Sequence, residues 1–339
     1  MLKTLQFEPV DRVPFDLMEG AVWPELLDYF RGHHQVGDAA EVIEFLNPDF
    51  RWTFLVYQGP VPDEQPATSP PDKVKTFSKA VVEGPLAHAG SITELNSYPL
   101  PDPAWFGPAN YEPIRARYPD KALVFCPGWM PLFWTACEAF GVEAALVKMV
   151  TQPEIFDGFI RRFHEFCMDI LSRGARGARG YCDLALLGDD FASQQAMMIS
   201  PDLWRKRIKP YLAEQVRVLR ENDLYVLFHS CGAVRDILPE LIEIGVNALL
   251  VFQTTARGMD APSIAKEFGG KLAFYGGIDV QQLLSFGTPQ QVEAEVCANI
   301  RAFAQCGGYI VANSHHTIAT IQGANIVAMC EAARKCKIQ

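Results

Sequence analysis

Tyr225-Val226-Leu227-Phe228-His229-Ser230-Cys231-Gly232 is a short apolar run that ends in chemistry-bearing residues and breaks at a glycine. Behind it, residues 234–244 carry a helical pattern, and residues 248–252 form a second apolar run. Short strands that are apolar at successive positions and joined through a helix are the mark of a parallel sheet covered by helices. Outward from this unit the same rhythm recurs. Residues 122–126, 184–187, 272–275 and 309–312 read as strands. Residues 133–149, 153–173, 201–222, 262–268, 289–305 and 323–335 read as helices, and Ser200-Pro201-Asp202 reads as an N-cap followed by proline at the first helical position. With residues 13–17 as a first strand there are about eight strand-like units, which favours a closed (β/α)8 TIM barrel over an open doubly wound sheet.

The chain reads as one domain over residues 1–339. Residues 1–110 are proline-rich and read as long loops with a hairpin or two; Tyr57-Gln58-Gly59-Pro60-Val61-Pro62-Asp63 and the stretch 66–71 are the clearest loops. Residues 111–339 carry the regular β/α units. No Gly-x-Gly-x-x-Gly follows an early strand, and Gly276-Gly277-Ile278-Asp279 lacks the Lys-Ser/Thr of a phosphate-cradling loop.

At 339 residues and 49% hydrophobic content the chain can bury one large core, and a net charge of −10 without basic runs argues against nucleic acid. No run of about 18 apolar residues is present, so a membrane span is not expected. The nine cysteines are scattered, odd in number and without a Cys-x-x-Cys pair, and Met1 to Glu8 has no signal-like apolar core. Free thiols in a reducing cytoplasm are the expectation.

In a parallel barrel the reactive face lies at the C-terminal ends of the strands. Those ends carry Asp16 and Glu19, Cys126 to Trp129, Asp189 and Asp190, His229 and Cys231, Gln253, Asp279, and His315 and His316. A histidine and a cysteine two apart at a strand exit point the same way and can share one ion. With an imidazole from the downstream strand they make a zinc site with an open position. His229, Cys231 and His315 are the expected ligands. His316, adjacent to His315, should point elsewhere and serve catalysis. Asp189 and Asp190 are candidate catalytic carboxylates, one directed inward and the other capping. Asp16, Glu19, Trp129, Trp134, Gln194, Gln253 and Asp279 are candidate substrate contacts, with Asp279 equally readable as a cap for residues 280–284.

Several stretches together resemble the uroporphyrinogen decarboxylase superfamily nearly end to end. They are Glu8-Pro9-Val10-Asp11-Arg12-Val13-Pro14, Ile199-Ser200-Pro201-Asp202-Leu203-Trp204 with Lys209-Pro210-Tyr211, and Phe228-His229-Ser230-Cys231-Gly232 with Leu238-Pro239-Glu240-Leu241 behind it. Gly276-Gly277-Ile278-Asp279 and Gly307-Gly308-Tyr309-Ile310 complete the set. The resemblance implies a distorted (β/α)8 barrel with its site at the C-terminal strand ends. The decarboxylases of that superfamily open with an Arg-Gln-Ala-Gly-Arg stretch, whereas Pro14 is followed here by Phe15-Asp16-Leu17-Met18-Glu19, which would repel a polycarboxylate.

The cobalamin-dependent methyltransferase branch is the better match. Its coenzyme M members carry a His-x-Cys and a later cysteine that bind zinc. His229 and Cys231 match the first two positions, and His315 stands near the third. An N/S/N set is less electron-rich than N/S/S and is the stronger Lewis acid, which suits an ether oxygen. The resemblance therefore implies zinc, a small methylated substrate of the methoxylated aromatic kind, and a separate corrinoid protein carrying the cobalamin, because this chain has no Asp-x-His-x-x-Gly motif. A homodimer is compatible with this reading. The alternatives are a decarboxylase of a smaller acid and a non-catalytic ligand-binding barrel.

Overall fold

The computed structural model describes residues 1–20, 22–60 and 83–337, without the side chain of Glu19. Of the loop expected at 57–63, Tyr57 lies in a short strand and residues 61–63 lie outside the described residues, as do the loop expected at 66–71 and the Glu19 side chain as a substrate contact. Among the described residues seven strands form the main sheet, β1 Phe50–Phe54, β2 Ala122–Cys126, β3 Leu184–Gly188, β4 Tyr225–His229, β5 Ala248–Phe252, β6 Ala273–Ile278 and β7 Tyr309–Asn313, while Val56–Tyr57 and Phe106–Gly107 pair antiparallel apart from it. The seven pair in sequence order, each parallel to the next.

Residues 13–17 take the eighth place. Phe15 bridges Val311 of β7, where the Asp16 N–H donates to the Val311 carbonyl and the Val311 N–H to the Pro14 carbonyl, both at 2.9 Å. On the other side the Asp49 N–H donates to the Phe15 carbonyl at 3.0 Å, and the Phe15 N–H to Asp49 Oδ2 at 2.9 Å. Arg12 holds the same carboxylate at 2.6 and 2.8 Å. The segment joins β7 to β1 and closes the barrel, but as a single bridge and not a full strand. Pro14 has no N–H to give to a ladder.

Alternation along the strands sorts the apolar residues into two cores. Val124, Leu186, Leu227, Leu250, Tyr275 and Ile310 form one cluster inside the barrel. Phe125, Leu187, Phe228, Leu249, Phe274 and Val311 point outward and join a second, larger cluster under the helices. Both faces of each strand are therefore buried, which is why the strands read as unbroken apolar runs.

Several expected boundaries move. The N-terminal third holds helices Pro24–His34 and Ala39–Leu46 as well as β1, so it is more regular than its prolines suggest. The helix expected over 133–149 is two, Leu132–Phe140 and Val142–Thr151, split at Gly141 with φ +85°. The helix over 201–222 also splits, into Pro201–Arg207 and Lys209–Glu221, because Pro210 cannot donate back into a continuous helix. Residues 234–244 become a 3₁₀ turn, Arg235–Ile237, and a short helix, Leu238–Glu243, with Pro239 in its first turn. Ser200 Oγ accepts the Leu203 N–H, as its cap pattern requires.

Cys297 and Cys336 are joined as a disulfide with a Cα separation of 5.7 Å. This corrects the expectation of free thiols throughout. The two cysteines are 39 residues apart and meet only because helices Pro289–Phe303 and Gly323–Lys335 pack together. No helix among the described residues is long and apolar enough to cross a membrane.

Phe15 is 1% exposed and packs in the outer core at the weakest seam of the barrel. Phe15→Ala should lower unfolding stability by about 3–5 kcal/mol, read by denaturant titration. A loss under about 1 kcal/mol would mean that barrel closure does not depend on this side chain.

Candidate functional site

Inward alternation on β4 places Leu227 in the barrel interior and His229 above it at the strand exit, where it is 3% exposed. Gly188 of β3 is in register with His229. A Cβ at Gly188 would stand 2.5 Å from the Trp129 ring and 2.8 Å from His229 Cβ, so glycine is what lets the indole lie there. Trp129 meets His229 edge to face at 4.9 Å between centroids and stays 47% exposed. It forms an aromatic wall over the imidazole with its far side open.

The turn that carries Cys231 is held from below. Gly232 has φ +85°, and a Cβ there would stand 2.5 Å from the Ser193 carbonyl oxygen. The Ala233 N–H donates to that same carbonyl at 2.9 Å. Gln253 Oε1 accepts the Gly232 N–H at 2.7 Å and the Gln194 side-chain amide at 2.8 Å. The structure thus places Gln194 and Gln253, expected as substrate contacts, beneath the turn, where they fix its shape.

The two aspartates face different ways. Asp190 Oδ1 accepts the Cys231 N–H at 3.1 Å and stands 3.8 Å from His229 Nε2. Burial, then the charge and hydrogen bond of Asp190, push the Cys231 thiol well above its ordinary range. Asp189 turns outward and caps helix Leu132–Phe140, accepting N–H groups from Phe133 at 2.6 Å, Trp134 at 2.9 Å and Asp190 at 3.0 Å. Burial pushes Asp189 from 3.8 up to about 7, against those donors. Trp134, on the capped helix, packs on the outer core and gives its indole N–H to Glu138 at 3.1 Å. Asp279 caps the following turn by accepting N–H groups from Gln281, Gln282 and Leu283.

His315 and His316 follow β7. Asn313 positions them: its Oδ1 accepts the Met18 N–H at 3.0 Å and its amide donates to the His315 carbonyl. The His315 ring lies 5.9 Å from that of His229, and His316 lies 6.4 Å from it. Adjacent residues were expected to diverge, yet both rings approach His229, since their chain leaves the strand in an irregular turn with no side-to-side alternation.

Asp16 is 1% exposed. Its Oδ2 accepts the Trp52 indole N–H at 2.8 Å and the Tyr275 hydroxyl. Burial raises the carboxyl from 3.8 to about 7, opposed by Tyr275, Trp52 and the Leu17 N–H. A wall that looked anionic in the sequence is therefore less so. Trp52 and Tyr275 were not singled out in the sequence, although alternation in 50–54 and 273–278 marks both as inward. His229 pairs with Leu250, and Leu250 with Tyr275, so Tyr275 is two strands along the register from His229 and also points inward.

His229, Cys231, Asp190, His315 and His316 gather at the barrel mouth, but among the described residues no three His, Cys, Asp or Glu side chains are close enough to form a ready cation site. Two imidazoles sharing a tetrahedral zinc at about 2.0 Å have centroids roughly 5 Å apart. The 5.9 Å separation of His229 and His315 is wider by less than 1 Å. The donors are of borderline softness, and a cation would offset the cost of ionising a buried thiol beside Asp190. The donor types are ones that zinc takes, although the side chains as placed do not converge on one ion.

Residues 131–336 match the family model of uroporphyrinogen decarboxylase (URO-D). The chain belongs to this family. Over 179 residues, 53% of its length, this URO-D family chain is 26% identical to a methylated-thiol–coenzyme M methyltransferase of Methanosarcina mazei. The match covers 45% of that relative, so the chain spans about half the length of the curated protein. The URO-D barrel also superposes on a solved methyltransferase from Methanosarcina mazei with a TM-score of 0.63 and 16% identity, covering 98% of this chain and 97% of that one. That likeness is one of fold.

Two predictions follow from the site's construction. Gly232→Ala should cost at least about 1–2 kcal/mol, from the left-handed backbone alone, and should displace Cys231 by collision with Ser193. Thermal unfolding of this variant beside wild type reads the effect, and an unchanged midpoint would contradict it. Asp16 and Asp189 bind a proton more tightly folded than unfolded, so their contribution to stability is lost as pH rises from about 4 through about 7. Asp189→Asn should flatten the fall of unfolding free energy over that window by at most about 1.4 kcal/mol per pH unit. An unaltered slope in denaturant titrations would show that Asp189 is ionised throughout.

Proposed function

We propose that this protein is a zinc-dependent methyltransferase that moves a methyl group between a small methylated donor and a corrinoid carried by a separate protein. The observation that carries the reading is the convergence of His229, the Cys231 turn and the His315–His316 pair at the barrel mouth. Family membership and the likeness to methyltransferases support it.

His229 Nε2, Cys231 Sγ and His315 would hold the metal. Bound there, zinc supplies Lewis acidity to the heteroatom that loses the methyl group. Asp190 fixes the Cys231 backbone and borders His229, so it sets the approach of the thiol. Trp129 offers an exposed aromatic face beside the site, which suits a flat donor such as a methoxylated aromatic. The corrinoid approaches over the barrel mouth. His316 stands close enough to touch donor or acceptor there.

Donor identity divides into two readings. The printed name of the curated relative favours a methyl group on sulfur. The imidazole of His315, in the place where a third thiolate is expected, favours a methyl group on oxygen. A decarboxylase of the porphyrinogen kind is opposed by the lumen itself. The buried arginines Arg51 and Arg207 face away from it, bonded to the Pro48 and Phe50 carbonyls and to Asp157.

Purified protein should bind one zinc, and Cys231→Ala should weaken binding by at least about 100-fold in competition with a chelator. Zinc binding that is unchanged in Cys231→Ala would remove the thiol from the ligand set. With a reduced corrinoid protein, wild type should form methylated corrinoid from aryl methyl ethers faster than from methyl thioethers, read by the corrinoid absorbance. The reverse order assigns the sulfur reading, and carbon dioxide release without methyl transfer assigns the decarboxylase.

A further inference from the structure

We propose that Asp16 is the acid of this site: it carries a proton on Oδ1, holds the donor oxygen across the lumen from His229, and protonates that oxygen as the methyl group leaves. This rests on the methyl-ether reading above and goes beyond it by naming the source of the proton.

Three observations converge on this carboxyl. Counting residues 13–17 as the eighth position, four steps in either direction around the barrel lead from Asp16 to β4, so Asp16 and His229 stand on opposite sides of the ring. Tyr275, two strands along the register from His229, reaches inward and donates its hydroxyl to Asp16 Oδ2, which also accepts the Trp52 indole N–H. Both side-chain donors are thus spent on one oxygen. Oδ1 is buried and has no hydrogen-bond partner.

A buried carboxylate with one bare oxygen is costly, and a neutral acid with its hydrogen on the bare oxygen costs less. Burial of Asp16 acts in that direction. Arg51, whose charge opposes the shift, lies on the outward face of β1 and is occupied by the Pro48 and Phe50 carbonyls. An O–H on Oδ1 then has no acceptor within the protein, and an oxygen of a bound donor supplies one.

The step balances simply. The C–O bond breaks with its electron pair left on oxygen, and the methyl carbon would pass to the electron pair that the partner's corrinoid supplies. The proton passes from Asp16 Oδ1 to that oxygen, which leaves as the hydroxyl compound. Water returns a proton to Asp16 after release.

Asp16→Asn keeps the shape, accepts from Tyr275 and Trp52, and retains a donor at the Oδ1 position, but it cannot release a proton. Methyl transfer from anisole, whose leaving phenolate is basic, should fall by about 100-fold. Transfer from 4-nitroanisole, whose phenolate needs no proton, should fall less than about threefold. Equal losses with both donors, or no loss with anisole, would overturn the proposal. Infrared spectra supply a second reading that needs no turnover: the protonated-carboxyl C=O band of wild type at neutral pH should lose intensity in Asp16→Asn, with the share that belongs to Asp189 remaining. Its absence from wild type, or its unchanged intensity in the variant, would also overturn the proposal. If Asp16→Asn does not fold, Tyr275→Phe should show the same split between the two donors at smaller size. Wild type that methylates no corrinoid from either donor sinks the functional reading and the acid with it; wild-type turnover with equal losses sinks the acid alone.

Discussion

Backbone hydrogen bonds around Phe15 are the constraint on which the rest depends. A parallel sheet of seven strands has two bare edges, and each unpaired N–H or carbonyl buried there is costly. Residues 13–17 satisfy both edges at once, bonding Val311 on one side and Asp49 on the other. Arg12 braces the seam by gripping the Asp49 carboxylate. Closure then turns alternation into an inside and an outside. The inside receives Leu227, Leu250, Tyr275 and Ile310, and the outside receives the faces that the helices cover. Without the seam, Asp16 would have no lumen to face.

The mouth of the barrel is built in tiers. His229 and Cys231 present the soft donors. Below them Gln253, Gln194 and the Ser193 carbonyl hold the Gly232 turn, and beside them Asp190 bonds the Cys231 backbone. Asp189 points away to cap helix Leu132–Phe140, which anchors the loop that bears both aspartates. Much of the polar density at the strand ends therefore supports the site and does not touch its contents. Polar groups this buried are paid for by hydrogen bonds, so most of them carry structural partners. Asp16 Oδ1 departs from that pattern, and this is what gives it chemical interest.

Fold and first donors were legible because both are local. The apolar runs ending at Cys126, Gly188, His229, Phe252 and Asn313 declare strands buried on both faces, and His229-Ser230-Cys231 declares two donors on one side. β1 was hidden because Arg51 and Thr53 interrupt its apolar character; they point outward, where Arg51 bonds backbone carbonyls and Thr53 the Val124 carbonyl. Gln194, Gln253 and Asp279 looked like substrate contacts because a side-chain amide or carboxylate that binds a ligand and one that ties down a turn are the same residue in a sequence. Trp52 and Tyr275 looked like core residues, and their polar tips acquire meaning only once Asp16 lies between them.

The sequence by itself determined the alternation of strand and helix, the side of each strand on which its residues lie, and the pairing of His229 with Cys231. Each is a property of a few neighbouring residues and the period of the backbone. Only the tertiary structure decided that residues 13–17 close the barrel, that both His315 and His316 approach His229, that Cys297 meets Cys336, and that Asp16 and His229 stand on opposite sides of the ring. Those relations join residues from dozens to about three hundred positions apart, and only closure of the sheet into a ring brings them together.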